Sequence, residues 1–303
     1  MQLSKCIQPF GEVNVFKQSN GELQIVATVL MAPNTEQART GLALDASASM
    51  KETYGAGNPL FGDAKPNLMR PIAQTMAAYL SEFSEKGTCE TIYWAVNNAG
   101  DAIERIGELD SNTSKSESFE GPKNYPWGRG TKLLPPVKYF VENAFDKVTW
   151  SIAVFVTDGI IQDLDEVKQY CLEYGKKIAA GQANFVKMVL IGIGPEVDEG
   201  QMEELDDMFE GSGLVDKKGD DIDIWDHALA AQMTSLEQIF KEVVSKDTIV
   251  ASSGRVYDSS GTLVQEWTDG LPSIMRFNLP AGSTSFKLEH PGGSVTQDIS
   301  EAV

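Results

Sequence analysis

Four segments of this chain are strand-like and rich in apolar residues, "GLALD", "TIYWAV", "WSIAVFVTDG" and "FVKMVLIGIG", and the first is a short continuous apolar run. A strand without polar alternation is one whose two faces are both covered, as in a parallel sheet flanked by helices. The segments between these runs have helical spacing. Leu68, Ile72, Met76, Tyr79, Leu80 and Phe83 recur at that spacing within residues 67–85. "LLPPVKYFVENAF" reads as a helix behind its prolines, and "DLDEVKQYCLEYGKKIAAG" opens on capping residues and closes on Gly181. "DEGQMEELDDMFE" and "HALAAQMTSLEQIFKEVVS" are further predicted helices, and "AIERIGEL" and "DIDIW" further strands, the last at a sheet edge. This alternation predicts an α/β fold: a doubly wound, mostly parallel sheet with helices on both faces.

The two ends of the chain read differently. "EVNVF" and "ELQIVATVL" are strands separated by "KQSNG", where Asn20-Gly21 signals a hairpin. "MAPNTEQ" follows as a linker. From Asp247 the helical period gives way to short alternating strands punctuated by "SSG", "DG", "LP" and "PGG". That stretch is short for a sandwich of its own. The expectation is a small all-β sandwich made by both termini, residues 1–35 and 247–303, with the α/β domain, residues 38–246, inserted between them.

The formal net charge of −19 repels a phosphate backbone, so no nucleic-acid partner is expected. No apolar run approaches the ~20 residues of a membrane helix. No basic region followed by an apolar core opens the chain, so a cytoplasmic location is expected. Cys6, Cys89 and Cys171 are far apart and odd in number, which predicts three reduced, mostly buried thiols.

The first buried strand runs into "DASAS". Asp45 there is open to three readings: a helix cap, a catalytic nucleophile, or one piece of a metal site. In open α/β sheets ligands gather at the carboxyl ends of the strands, which is where Asp45, Ser47 and Ser49 fall. "GRGTKL" offers Thr131 in a loop entering a helix, and "VFVTDG" offers Asp158 at the end of another buried strand. If these loops converge, two carboxylates and three hydroxyls meet. An all-oxygen set of this kind suits a hard divalent cation; zinc would prefer His and Cys.

"DASAS", Gly130-Thr131 and Thr157 to Gly159 resemble the metal-ion-dependent adhesion site of the von Willebrand factor A (vWA) family, a Rossmann-like fold. The resemblance covers about residues 38 to 246 and matches all five motif positions. It implies that Ser47, Ser49 and Thr131 touch the ion directly or nearly so, and that Asp45 and Asp158 hold it, often through water. Ala48 departs from the usual glycine. The ion implied is Mg²⁺, with Mn²⁺ or Ca²⁺ as alternatives. "SMKETYGAG" and "IGIGPEVDEGQMEELDDM" are more loosely similar to bacterial vWA proteins of tellurite-resistance and stress gene clusters. That similarity implies a MoxR-type AAA+ ATPase, or another stress-system component, as partner. A vWA domain inside a β-sandwich is also similar in layout to integrin β chains.

A cation held mainly by neutral hydroxyls keeps much of its charge, and an open position then attracts a carboxylate from another protein. The expected function is therefore Mg²⁺-dependent protein binding without catalysis. The alternative is a metal-dependent hydrolase or phosphatase using Asp45; against it, Ser47 stands where such phosphatases carry a second aspartate. His227 and His290 fall in no site loop, so neither supplies a general base or a Ser-His-Asp set. Lys51, Arg129 and Lys132 form either a cationic collar or solvated side chains. Tyr54, Phe61, Tyr125 and Trp127, in the long loops "KETYGAGNPLFGDAK" and "SNTSKSESFEGPKNYPWGRG", form either a contact rim or part of the domain's own packing. "DKKGDDIDIWD" lacks the glycine and closing glutamate of an EF-hand loop, and reads as a solvated edge.

Overall fold

The structure is a computed structural model that describes residues 1–29, 37–56, 65–145, 148, 150–194, 196–216, 221–230, 249–268 and 270–302. The chain divides into two units: Met1–Asn34 with Phe240–Val303, and Thr35–Ile239.

The first unit begins with β1 (Phe10–Lys17) and β2 (Leu23–Val29), paired antiparallel. Gly21, at φ +86°, makes the reversal between them. A backbone of that sign is open to glycine at no steric cost, as the Asn-Gly signal implies.

The second unit contains β3 (Ala38–Asp45), α1 (Met69–Ser81), β4 (Cys89–Val96), β5 (Ala102–Leu109), α2 (Ser111–Ser116), α3 (Leu134–Tyr139), β6 (Trp150–Thr157), α4 (Leu164–Ala179), β7 (Phe185–Gly192), α5 (Glu199–Asp206) and β8 (Trp225–Leu229). Its sheet is mixed and mostly parallel, in the order β5-β4-β3-β6-β7-β8. Only β5 runs antiparallel, against β4. Residues of opposite parity on β3 show that both faces are covered. Thr40 donates its hydroxyl to Leu80 O of α1. Gly41 faces the other way, against Phe140, where a Cβ would stand 2.3 Å from the ring. On the Gly41 face Ala43, Trp94, Phe155 and Leu190 form one core with Val137 and Phe140 behind α3, Cys171 on α4 and Leu205 on α5. α1 turns Met69, Ala73, Met76 and Leu80 inward on the Thr40 face.

The first unit resumes with β9 (Ile249–Ala251), β10 (Gly254–Asp258), β11 (Leu263–Trp267), β12 (Leu271–Pro272), β13 (Ile274–Leu279), β14 (Ser285–His290) and β15 (Gly293–Asp298). β13 pairs with β2, aligning Ile274 with Thr28 and Leu279 with Leu23. The chain ends are joined again where Glu301 accepts from Ser4, at 2.6 Å from both its backbone N–H and its hydroxyl, and where Gln297 Oε1 accepts from Ile7 N–H at 2.8 Å. The β1-β2-β13 sheet and the β11-β10-β14-β15 sheet share one core, in which Phe286 lies 5.3 Å from Phe10 and 5.1 Å from Phe277, ring to ring.

Four local expectations differ from the structure. The predicted edge strand "DIDIW" is displaced: β8 begins at Trp225 and carries His227, which the sequence reading placed in a helix. The displacement has a packing cause, since Trp225 is fully buried against Phe155 and Cys171. The rest of that predicted helix, 231–245, lies outside the described residues. Residues 111–116, read as loop, are α2, because Asp110 and Thr113 close a capping box around its start. The helix begun at Leu134 ends as a π-helical turn over Phe140–Ala144. Asp163 precedes α4 without capping it. No described helix is long and apolar enough to cross a membrane. All three cysteines are free; Cys89 and Cys171 are buried and Cys6 half-buried.

Candidate metal centre

Asp45 ends β3 at the carboxyl edge of the sheet, between β4 and β6, and has no exposed surface. Its Oδ1 accepts from Ser47 N–H at 2.7 Å, and its Oδ2 accepts from the Thr157 hydroxyl at 2.6 Å. Its backbone carbonyl accepts from Tyr54 Oη at 3.0 Å. Burial pushes the carboxyl up to about 6, opposed by the Thr157 and Ser47 donors and assisted by the nearby Asp158.

Outward from Asp45 the oxygens form a chain. Ser47 Oγ lies 3.0 Å from Ser49 Oγ, and Ser49 Oγ donates to Asp158 Oδ1 at 2.8 Å. Ser47 is buried and Ser49 exposed, so the row runs from the interior to solvent. Asp158 is also shifted upward, mainly by burial, with the Ser49 donor opposing it. Thr131, 6 % exposed, joins from the third loop. Its hydroxyl faces Gly159, where a Cβ would stand only 3.3 Å away. That hydroxyl makes no hydrogen bond among the described residues, and its carbonyl accepts from Gln162 N–H at 2.9 Å.

The structure thus ties Asp45, Ser47, Ser49 and Asp158 by hydrogen bonds, with Thr131 beside them through Gly159. Among the described residues no three of His, Cys, Asp and Glu gather as a metal-holding group. What gathers is two carboxylates with hydroxyls. That donor set fits a hard cation: all oxygen, one hydroxyl uncommitted, and two carboxylates whose mutual repulsion a positive ion would relieve.

The loops are fixed by residues to which the sequence reading gave no role. Thr157, one residue before Asp158, holds Asp45. Ala95 sits at φ +53°, where a bulge interrupts the β4–β5 register. Gly128 fits under its carbonyl, donates to Ala46 O at 3.1 Å and accepts from Ala48 N–H at 2.7 Å. The Gln201 side chain grips both backbone groups of Ile161, at 2.8 and 2.9 Å. Glycines in a loop and a threonine beside "DG" were visible as residues; only the tertiary fit gives them their tasks.

Of the aromatic residues near the site, Tyr54 folds back, buried under Asp45, and Trp127 packs edge-on against it at 5.1 Å. Tyr125 is exposed, and Phe61 lies outside the described residues. Lys132 stands 3.7 Å from Asp101, whereas Arg129 is exposed and has no ion-pair partner among the described residues. His227 is half-buried, with Nδ1 2.8 Å from Asp206, and does not belong to the site.

No protein-family model matches the chain, and no curated protein matches it. Similar solved structures include the pilus adhesin SpaC of Lactobacillus rhamnosus GG in an open conformation. It is 10 % identical over 98 % of this chain and 48 % of that one, with a TM-score of 0.46. The PilB minor pilin of Streptococcus sanguinis is 13 % identical over 76 % of both chains, with a TM-score of 0.43. Proximal thread matrix protein 1 of the mussel byssus, with a zinc-occupied MIDAS motif, is 14 % identical over 73 % of this chain and 47 % of that one, with a TM-score of 0.40. The chain spans about half the length of SpaC. At such scores none of these likenesses assigns a role to a residue here.

Proposed function

We propose that this protein is a vWA-type module that binds another protein through a divalent cation, Mg²⁺ by preference, without catalysing a reaction. One observation carries the reading: the oxygen row from buried Asp45 through Ser47 and Ser49 to Asp158, with the Thr131 hydroxyl uncommitted beside it. Ser47, Ser49 and Thr131 would hold the ion, and Asp45 and Asp158 would balance its charge from behind. The ion supplies an electrophilic corner for an Asp or Glu carboxylate of the partner. Exposed Arg129, one residue beyond Gly128, adds attraction for acidic groups in an otherwise strongly acidic chain. Ile160, 57 % exposed and two residues beyond Asp158, offers apolar contact at the same rim.

The geometry of Asp45 speaks against the phosphatase alternative. A nucleophilic carboxylate needs an oxygen free to reach substrate, and both oxygens of Asp45 are engaged beneath the serines. The test is calorimetric titration with Mg²⁺, Mn²⁺ and Ca²⁺, paired with assay of a generic phosphate ester. The expected result is one saturable divalent site, weakened at least about tenfold in Ser47→Ala, Thr131→Ala and Asp158→Ala, with no ester turnover. Turnover lost in Asp45→Ala but kept in Thr131→Ala would overturn this reading in favour of the alternative.

A further inference from the structure

We infer that Glu104 and Asp163, two carboxylates outside the ligand set, are positioning residues that suspend the Thr131 segment at the cation site. The inference rests on the proposal that Thr131 is a ligand, and adds how its place is held.

Glu104 lies on the edge strand β5 and is only 7 % exposed. It has no ion-pair partner among the described residues. Its oxygens instead accept from three consecutive backbone N–H groups: Lys123 at 2.8 Å, Asn124 at 2.9 Å and Tyr125 at 3.1 Å. Asn124 Nδ2 adds a fourth donor at 3.2 Å. Successive N–H groups converging on one anion make a nest, and here the anion is the protein's own side chain. From that anchor the chain runs directly into the site. Pro126 O accepts from Asn97 N–H, Gly128 locks against Ala46 and Ala48, and Thr131 follows three residues later.

Asp163 holds the other side of Thr131. It occupies the N-cap position of α4, yet makes no cap bond there. Its oxygens accept instead from Leu133 N–H at 2.7 Å and Leu134 N–H at 3.0 Å, at the start of α3. A residue that abandons the cap of its own helix for the cap of another breaks a local rule, and such breaks concentrate where function dictates geometry. Asp163 is on the same loop as Asp158, five residues on, so its two bonds tie the Asp158 loop to the Thr131 loop. Gln162 N–H, donating to Thr131 O, adds a third tie. Thr131 is therefore strung between a carboxylate that fixes residues 123–125 and one that fixes residues 133–134.

Mg²⁺ titration of the 303-residue chain in double-mutant combinations tests this. Asp163→Ala and Glu104→Gln are each expected to weaken Mg²⁺ on the order of 10–100-fold, as outer-shell changes do, with Asp163→Asn, which keeps one acceptor, in between. In a Thr131→Ala background the same changes are expected to cause little further loss, because the group they position is gone. In a Ser49→Ala background they should keep their full effect. Thermal unfolding without metal controls for folding, and the Asn and Gln variants keep the comparison open if Asp163→Ala does not fold. Losses of equal size in the Thr131→Ala and Ser49→Ala backgrounds, or no loss in the single variants, would overturn the positioning role alone. Absence of Mg²⁺ binding by the wild-type chain would overturn the metal proposal and this inference together.

Discussion

At the scale of single residues, the site depends on places where a side chain is missing as much as on those where one is present. A Cβ on Gly128 would stand 1.9 Å from Ala95 O, and one on Gly100 the same distance from Gly130 O. These are backbone-to-backbone contacts with no flexible end to give way. Gly128→Ala is therefore expected to lower stability by about 1–3 kcal/mol or more, as overpacking does, and to weaken cation binding by displacing Ser47 and Ala48. Urea denaturation followed by Mg²⁺ titration checks both. The five candidate oxygens could be named from the sequence because Asp45 and Asp158 close buried strands and because the segments around them, with Gly130-Thr131, resemble the vWA motif. Local chemistry alone left Asp45 open between a cap, a nucleophile and a metal site, since Ser and Asp collect in loops anyway. The supporting residues could not be named. Nothing in "TDG" says that Thr157 aims at Asp45, and nothing in "AIERIGEL" says that Glu104 gathers three amides, since both depend on which loop arrives from elsewhere.

At the scale of elements, α1, α4 and the buried strands β3, β4, β6 and β7 lie where the sequence pattern placed them, whereas β8 and α2 depart from it for different reasons. β8 is shifted toward its C-terminal side because Trp225 fills the core beside Phe155, a contact that local alternation does not encode. Lys187 in β7 reinforces that edge. Its buried amine stands 3.1 Å from Asp223 and 3.2 Å from Asp226, and donates to Trp225 O at 3.3 Å. The two aspartates are partly exposed and can rehydrate, so the stem of Lys187 contributes more than its charge. Lys187→Met is expected to cost less than about 1.5 kcal/mol, the range of volume-conserving changes. Lys187→Ala should cost about 2–4 kcal/mol, as buried truncations do. A chemical denaturation series on the two variants decides it, and equal losses would show that the charge dominates. α2 makes the opposite point: its Asp110–Thr113 capping box is written in the sequence, but six residues are too few for any period to announce them.

At the scale of the whole molecule, the chain leaves its terminal β unit after β2 and comes back to it at β9. Hydrophobic alternation identified strands at both ends, but only the β2–β13 register unites them in one sheet. Deleting residues 1–29 removes two of the three strands in that sheet and uncovers Phe277, Phe286 and Met275. The expected result is rapid proteolysis between residues 250 and 302 while residues 37–230 stay protected, read by mass spectrometry of the fragments. Protection of the C-terminal strands in the deleted chain would show that they fold without β1 and β2.

The clasp between Ser4 and Glu301, with Ile7 on Gln297 behind it, has a mechanical meaning as well. Tension drawn between the segments flanking those residues passes across the clasp and the β2–β13 ladder before it reaches the intervening two hundred residues. By connectivity alone, residues 35–239 come under load only after those bonds have opened.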